Sequence, residues 1–442
     1  MQEIDASPTK EFFISIITKD ISLLDAVKDL VDNSVDGARS LRKDGNYAGL
    51  SVKVEISPQF FSIHDNCGGM SVKTASEYAF RFGRAPGAPN VEGSIGQFGV
   101  GMKRSLFKMG KRFTVSSIAE DSRFELTVNV DEWKRLVDDD GKDIWKMSFD
   151  SAIEGQQNPV ADRGTSILVE ELHAGISSEF ASQSFVQALI KGLQDAHARS
   201  MDNGLDIKVN NYELRHRAAT LLLSDAIVPF KAEFNFPADE NRGQRAPVRL
   251  SLYAGVSDSD LSDAGWYIIC NGRQIVTADK SATTGWSSVE SEYSTPKAHQ
   301  QFARFRGYAV FESDDASSLP WNTSKSGVDT DSRVYQAARQ EMSAALRQVI
   351  DFLNALANEK DSDSSFLQEA IDKSTHVEIS KLPASRSFKF PSRPAVYAPK
   401  TLRVQFDRTI EDVDFARQFF SVASAKRAGE AAFDYFLDRE RE

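Results

Sequence analysis

The feature that most constrains this chain is a glycine- and proline-rich run, RAPGAPNVEGSIGQFGVG, at residues 84–101. Its composition is incompatible with a regular helix or strand, so the run predicts a mobile loop. A helical pattern near residues 71–82 precedes it, and a second helix, GMKRSLFKMG, begins where it ends. The chain must therefore fold around a long irregular segment that opens a helix.

Length and charge limit the remaining possibilities. The chain has 442 residues, which predicts two or three domains, and its net charge of −11 means that contact with nucleic acid requires a local basic patch. Two cysteines are too few for a disulfide framework or a cysteine zinc site. No apolar run approaches the roughly 18 residues of a membrane span, and the N-terminus is no signal peptide. We expect a cytoplasmic protein without membrane contact.

Residues 1–215 are predicted to form the first domain. A helix over residues 21–42 carries a buried stripe of apolar and small residues. Seven strand-like segments follow, and they would form one mixed sheet flanked by helices: SVKVEI, FFSIHD, RFTVSSI, RFELTVNV, IWKMSFD, TSILVEEL and DIKVNNYEL.

Residues 216–330 are again rich in strands and predict a second, α+β domain. Residues 331–442 would be a helical region that begins with a long helix over residues 334–356. Within it, residues 381–403 combine basic, proline and aromatic residues without an acid, which fits an extended strap better than a nucleic-acid contact. A final amphipathic helix is predicted from Asp414 to Leu437, as a packing or dimerisation element.

Two polar positions stand on one face of the first long helix. Asp29 and Asn33 are spaced i, i+4, so both could reach the same ligand. An Asn oxygen can join water and phosphate oxygens around magnesium, and a carboxylate can orient or deprotonate a water. Taken alone, such a stripe is more often the solvated face of a helix.

Two further motifs carry possible binding groups. Asp65 stands where a strand meets Gly68 and Gly69, so its carboxylate could accept a hydrogen bond from an amino group, although this pattern is also that of a tight turn. In GSIGQFGVGMKRS, the glycines let backbone amides approach phosphates at a helix N-terminus, and Lys103 adds a point charge. The motif matches neither the P-loop nor GxGxxG, and a structural loop is the alternative.

Together these motifs resemble the nucleotide site of the GHKL superfamily, which includes DNA gyrase, MutL, Microrchidia (MORC) ATPases, histidine kinases and the ninety-kilodalton heat-shock chaperones. DLVDNSVDGA, DNCGGMS, IGQFGVGMK and GTSILVE resemble its four motifs in order. The resemblance covers residues 10–215 and implies a Bergerat-type ATP-binding α/β sandwich within an α+β protein. ATP and Mg²⁺ are the implied ligands.

The resemblance assigns a role to individual positions. Asn33 would coordinate magnesium, Asp65 would accept from the adenine amino group, and residues 83–98 would be a lid over ATP. The implied ligand-binding positions are Asn33, Asp65, Gly69, Met70, Gly96, Gln97, Phe98, Gly99, Val100, Gly101, Lys103 and Thr165.

The implied catalytic positions are Asp29 and Lys325. Asp29 stands where the family carries the glutamate that activates water, and because its carboxylate is shorter by one methylene, slow hydrolysis is expected. Cys67 stands where the second motif of the family usually has its first glycine. GWYIICNGRQI resembles the transducer domain of gyrase, MutL and MORC proteins, and Lys325 lies where those transducers present a lysine to the terminal phosphate. An ordinary loop lysine is the alternative.

The implied function is an ATP-driven conformational switch, most like MORC or MutL, that forms a nucleotide-dependent homodimer and acts on DNA or a partner protein. DLVDNSVDGA also resembles stand-alone bacterial members, some of them linked to phage defence. Two alternatives stay open. One is a chaperone-like ATPase, because IGQFGVG is close to the heat-shock chaperones, and the other is a module that binds ATP without hydrolysing it.

Overall fold

A computed structural model describes residues 7–83, 93–96, 99–216, 218–239, 244–287, 296–359, 365–391, 404 and 407–440. It divides into two compact units, Met1–Pro391 and Ser392–Glu442. Among the described residues, no helix is both long and apolar enough to cross a membrane. The predicted loop at residues 84–101 is described only at 93–96 and from Gly99 onward.

The first sheet has eight strands in the order β5-β4-β3-β6-β2-β1-β7-β8. Among its described strands, only β1 and β7 pair in parallel. Their bounds are β1 Ser51–Ile56, β2 Phe61–Asp65, β3 Gly110–Ile118, β4 Ser122–Asn129, β5 Ser151–Glu154, β6 Gly164–Leu172, β7 Asp206–Val209 and β8 Tyr212–Glu213. Apolar residues alternate along β1 and β2 and are buried against the helices.

One predicted strand is wrong. IWKMSFD, residues 144–150, has no regular structure, and the fifth strand is Ser151–Glu154 instead. Trp145 packs edge-on against Phe13, Phe82 and Trp133. The alternating apolar residues of this segment therefore pack on an aromatic cluster outside the sheet. Their spacing is that of a strand, although residues 144–150 themselves form no strand.

Helices cover one face of this sheet. Ser22 caps α2 by accepting a hydrogen bond from the Asp25 amide at 3.0 Å. The predicted stripe of α2 is buried at Val27, Leu30, Ser34 and Ala38. The helices are α1 Lys10–Lys19, α2 Leu23–Leu41, α3 Val72–Thr74 with a π-helical turn Ala75–Ala79, α4 Gly101–Met109, α5 Val130–Arg135, α6 Ala174–Ala181, α7 Gln183–Ala196 and α8 Ala198–Asp202.

A second sheet follows in the same compact unit, with the order β10-β11-β14-β12-β13. Its strands are β10 Phe230–Phe236, β11 Val248–Val256, β12 Gly265–Cys270, β13 Arg273–Asp279 and β14 Phe305–Glu312. The long helix α9, Arg333–Glu359, packs on β11 and β14 through a buried apolar stripe. The mixed sheets and helices confirm the α+β class, whereas the domain boundaries near 215 and 330 stay predictions.

The basic segment is a strap where the structure describes it. After α10, Phe366–Asp372, strand β15, Thr375–Glu378, pairs with β9, Thr220–Leu223. Leu382 and Phe388 are buried, and the Phe388 ring contacts that of Phe352 in α9. Residues 381–391 therefore lie on the second sheet and α9, as the strap prediction states; residues 392–403 lie outside the described residues.

In the described part of the second compact unit, two helices lie where one was predicted. They are α11, Ile410–Phe419, and α12, Ala425–Glu440. Ser421 between them has a φ of 54°, a left-handed conformation that ends α11. Phe419 and Tyr435 make an edge-on contact across the turn. The prediction of one helix from Asp414 to Leu437 is therefore wrong at residues 420–424.

Candidate nucleotide site

A cavity of about 630 Å³ opens between α2, the end of β2, the start of β6 and the N-terminus of α4. It also receives Lys325 from the loop that follows the second sheet. Gln97, Phe98 and most of the predicted lid lie outside the described residues. Every other predicted site residue lines the cavity: Asp29, Asn33, Asp65, Gly69, Met70, Gly96, Gly99, Val100, Gly101, Lys103, Thr165 and Lys325.

Asp65 is fixed at one end of the cavity by three donors. Its carboxylate accepts hydrogen bonds from Ser34 Oγ at 2.7 Å, from the Cys67 amide at 2.9 Å and from the Thr165 amide at 3.3 Å. Burial raises the pKa of Asp65, and these hydrogen bonds oppose the rise. The carboxylate is thus held as an oriented acceptor rather than as the start of a solvated turn. Ser34 was missed as a site residue because sequence gives it only a place on the buried stripe.

Close backbone contacts explain two glycines of this end. Gly69 has a φ of 70°, and a Cβ there would lie 1.9 Å from the Ile118 carbonyl oxygen. A Cβ at Gly164 would lie 2.0 Å from the Asp65 carbonyl oxygen. The turn at residues 66–69 also approaches α2, because a Cβ at Gly37 would come within 2.8 Å of the Cys67 carbonyl oxygen. The cavity wall at this end therefore tolerates no side chain at these glycines.

Cys67, which replaces a glycine of the family pattern, fits this wall. Its side chain is buried and lines the cavity, and burial raises the pKa of its thiol. A neutral thiol behaves as a small apolar group. The replacement therefore makes this part of the wall more apolar and adds no charge.

At the opposite end, α4 presents backbone donors. Val100 is its N-cap and makes no side-chain hydrogen bond to the first turn, whose residues Gly101, Met102 and Lys103 line the cavity. Uncapped N–H groups and the helix dipole favour an anion here. The amide of Gly96 differs, because it donates to Asp36 Oδ2 at 2.8 Å. In this arrangement the backbone N–H groups that could meet an anion are those of residues 101–103, because the Gly96 amide is already bonded.

Lys103 lies at the edge of the cavity but is turned inward. Its side chain is 1% exposed, and its Nζ donates to the Ala79 carbonyl oxygen at 2.6 Å. Burial lowers the pKa of Lys103 to about 7. Its charge therefore depends on its surroundings near neutral pH, and an adjacent phosphate would favour the protonated form.

We expect Lys103→Met to change how stability depends on pH. The pKa of Lys103 is about 7 in the folded protein and 10.5 in the unfolded chain. Between pH 7 and pH 10.5 the unfolded chain therefore binds more protons than the folded protein does. The free energy of unfolding should then rise with pH in this window, by up to about 1.4 kcal/mol per pH unit, and Lys103→Met should remove that rise. Urea unfolding at pH 7.5 and 9.5 measures it, with the exposed Lys73→Met as control. Parallel profiles for the parent protein and Lys103→Met would contradict this assignment.

The candidate catalytic residues belong to a buried charge cluster. Asp29 is 2% exposed, so it is not on a solvated helix face. Arg104 donates to Asp29 Oδ2 from Nε at 3.1 Å and from Nη2 at 2.5 Å. Lys325 Nζ lies 3.3 Å from Asp29 Oδ1 and 2.9 Å from Asp32 Oδ2. Although burial opposes the charge of Lys325, these two carboxylates raise its pKa.

A second layer of the cluster lies behind Asp32. Arg273, at the start of β13, places its Nε 3.5 Å from Asp32 Oδ1, and its Nη1 lies 3.3 Å from His197 Nε2. Burial and the charge of Arg273 lower the pKa of His197 to about 3, so the imidazole is neutral and accepts from Arg273. Burial opposes the charge of Asp32, but the charges of Arg273 and Lys325 hold its pKa below the ordinary value. This layer ties α2 to the second sheet.

Sequence reasoning missed Arg104, Asp32, Arg273 and His197. Arg104 offered little signal, because α4, GMKRSLFKM, also carries Lys103 and Lys108, and the sequence does not say which of these cations is buried and needs a partner. The other three had no comparable signal, since Asp32 is separated from Arg273 by more than half of the chain. Their meeting depends on how the two sheets pack.

The donor set fits magnesium bound together with a nucleotide. The side chain of Asn33 is exposed in the cavity. Among the described residues, no group of three His, Cys, Asp or Glu side chains is placed to hold a metal ion. Mg²⁺ commonly keeps several waters and takes most of its other ligands from substrate phosphates. One amide oxygen beside an anion-binding helix N-terminus is compatible with that mode.

Comparison with known proteins agrees with the geometry. Residues 21–162 match the model of a family described as histidine kinase-, DNA gyrase B- and HSP90-like ATPases. A comparison with curated proteins gives no significant match. The matched segment contains α2, the Asp65 turn and the first turn of α4, which form most of the cavity. This segment is therefore an ATP-binding domain of the GHKL ATPase superfamily.

Proposed function

We propose that this protein hydrolyses ATP and uses the nucleotide to switch the relative arrangement of its eight-stranded and five-stranded sheets, as MORC and MutL proteins do. The observation that carries the proposal is the contact that Lys325 makes between the two parts of the protein. This residue belongs to the loop after the second sheet, yet its Nζ lies within 3.3 Å of Asp29 in the ATP-binding domain. A ligand that attracts Lys325 would therefore act on both parts.

The geometry suggests a role for each group. Asp65 would accept from the adenine amino group, with Thr165 beside it. The first turn of α4 would bind the phosphates, and Lys103 would become charged next to them. Asn33 would hold magnesium, which neutralises phosphate charge when bound.

Hydrolysis would require the buried charges to rearrange. Asp29 is now neutralised by Arg104 and Lys325 together. If Lys325 moves to the terminal phosphate, Asp29 keeps Arg104 alone and its free oxygen can accept a proton from water. Lys325 would then stabilise the charge that develops on the phosphate. Asp32 would remain neutralised by Arg273, so the departure of Lys325 leaves no unpaired carboxylate there.

The output would be a nucleotide-dependent homodimer that acts on DNA or a partner protein, with phage defence as the biological setting suggested by the first motif. Apolar side chains of the second compact unit support contact between copies. Phe415, Phe433 and Phe436 are more than half exposed on α11 and α12. Because the net charge is −11, DNA contact would need a local surface or one formed by dimerisation.

A second candidate function is favoured by the same cluster. Asp29 is shorter than the usual glutamate and is held by two cations, which suits a protein that binds ATP and hydrolyses it slowly or not at all. Steady-state phosphate release distinguishes the candidates, because a non-hydrolysing module gives no release above background. Stimulation by an unfolded client would instead favour the chaperone-like alternative.

The mass of the protein in solution tests the switch. We expect a monomer without nucleotide and a dimer with a non-hydrolysable ATP analogue and Mg²⁺, measured with and without DNA. A monomer in every condition would rule out the nucleotide-dependent dimer. A dimer that forms equally with and without nucleotide would show that dimerisation does not depend on the ATP site, and would contradict the proposed switch.

A further inference from the structure

The turn between β12 and β13 touches the segment that leads into the glycine loop. The turn consists of Asn271 and Gly272, with φ values of 47° and 80°. Left-handed φ at both positions is the type I′ hairpin geometry, in which Asn-Gly is preferred. Turn geometry alone thus explains why residue 271 is an asparagine, but it does not explain which groups its side chain bonds.

The Asn271 side chain is buried and fully used. Its Nδ2 donates to the Ser94 carbonyl oxygen at 3.0 Å and to the Ser313 carbonyl oxygen at 2.9 Å. Its Oδ1 accepts from the Ser313 amide at 3.0 Å. The main-chain oxygen of Asn271 accepts from Arg39 Nη2 of α2 at 2.8 Å. The two bonds to Ser313 stay beside the end of β14. The bond from Arg39 reaches α2, and the bond to Ser94 reaches the wall of the nucleotide cavity.

The same short segment is held from the other side by α2. Asp36 accepts from the Ile95 amide at 2.8 Å and from the Gly96 amide at 2.8 Å. Arg39, one helical turn later, lies 3.6 Å from Asp36 and also bonds Asn271. Residues 94–96 are therefore clamped between α2 of the ATP-binding domain and the β12–β13 turn of the second sheet.

We propose that Asn271 is a positioning residue through which the second sheet sets the backbone that leads into the phosphate-binding glycine loop. The inference rests on the proposed function for its ligand and adds a contact that is separate from Lys325. The amides of Ile95 and Gly96 are not themselves free, but fixing residues 94–96 restricts the loop that follows, so Gly99 to Gly101 lose less conformational entropy when phosphates bind. Loss of the Asn271 amide should weaken ligands that carry phosphates and spare ligands that occupy only the adenine end.

The chain supplies a matched control. Asn210 also has a left-handed φ, 52°, in the β7–β8 turn, and its Oδ1 accepts from the Ile56 amide at 2.9 Å. Glycine tolerates this backbone conformation at both positions. Asn271→Gly and Asn210→Gly thus each remove a turn amide that bonds a neighbouring backbone, and only the first removes the contact to Ser94.

The first test compares two ligands. We expect Asn271→Gly to bind a non-hydrolysable ATP analogue with Mg²⁺ about tenfold more weakly, which is the effect of losing the one hydrogen bond to Ser94, and to bind adenosine as the parent does. Asn210→Gly should bind both as the parent does. Equal weakening of both ligands, or unchanged binding of the analogue, would overturn the inference. If Asn271→Gly folds poorly, Asn271→Asp tests the same contact. Its carboxylate still accepts from the Ser313 amide but places an acceptor against the Ser94 carbonyl oxygen, so it should weaken binding of the ATP analogue in the same way.

The second test needs no nucleotide. Hydrogen exchange at the Ile95 and Gly96 amides should become about tenfold faster in Asn271→Gly and stay unchanged in Asn210→Gly. Unchanged exchange in Asn271→Gly would overturn the inference by itself. If the parent protein fails to bind ATP, the proposed function fails, and this measurement still decides whether Asn271 positions the segment.

Discussion

Replacing Lys325 with methionine is expected to reduce ATP hydrolysis by roughly a thousandfold while the nucleotide still binds. Cations that contact a transferring phosphoryl group contribute at this level in related chemistry. Lys325, in the loop after the second sheet, both lines the cavity and bonds Asp29. Phosphate release and the affinity for a fluorescent ATP analogue measure the two effects separately.

The substitution also removes a cation from two buried carboxylates, so a loss of stability must be separated from a loss of chemistry. Breaking a buried ion pair costs about 3–5 kcal/mol, because one charge is left without compensation. The double variant Asp32→Asn with Lys325→Met removes one of those carboxylates and should regain part of the stability without regaining hydrolysis. Hydrolysis at the parent rate in Lys325→Met would refute the role. Loss of nucleotide binding together with hydrolysis would make Lys325 a binding residue instead.

The sequence predicted the cavity better than the charges that surround it. Its motifs lie within single elements or adjoining turns. The spacing of Asp29 and Asn33 on α2 already fixes that both side chains lie on one face, and Gly99 and Gly101 mark where the loop gives way to α4. Asp65 was predictable for the same reason, since a strand that runs into two glycines presents its last side chain at the sheet edge.

Contacts between distant elements could not be predicted. A carboxylate at position 32 looks the same in the sequence whether it meets water or Arg273, because periodicity does not report which element packs against a helix. The break at Ser421 and the irregular path of residues 144–150 have a related cause. In both places the spacing of apolar residues correctly predicts which side chains pack against others. It does not predict the backbone conformation, which depends on contacts with residues far away in the sequence.

Replacing Asp29 with asparagine is expected to lower hydrolysis at least a hundredfold without weakening nucleotide binding. The amide has the shape of the carboxylate but cannot take a proton from water, and general-base catalysis contributes about 10²–10⁴-fold. Its oxygen can still accept from Arg104, so α4 should keep its place. Removal of a negative charge near the phosphates should leave the affinity for the ATP analogue equal or higher. Phosphate release under saturating ATP and analogue binding measure the two quantities.

Asp32→Asn is the matched control, because Asp32 is also a buried carboxylate of α2 that bonds Lys325 but faces the second sheet. Its loss should lower stability more than it lowers the rate of hydrolysis. If Asp29→Asn hydrolyses ATP as fast as the parent, Asp29 is not the base. If the parent itself releases no phosphate, Arg104 and Lys325 keep Asp29 neutralised even with ATP bound. The protein would then be a module in which the same ion pairs transmit nucleotide binding without turnover.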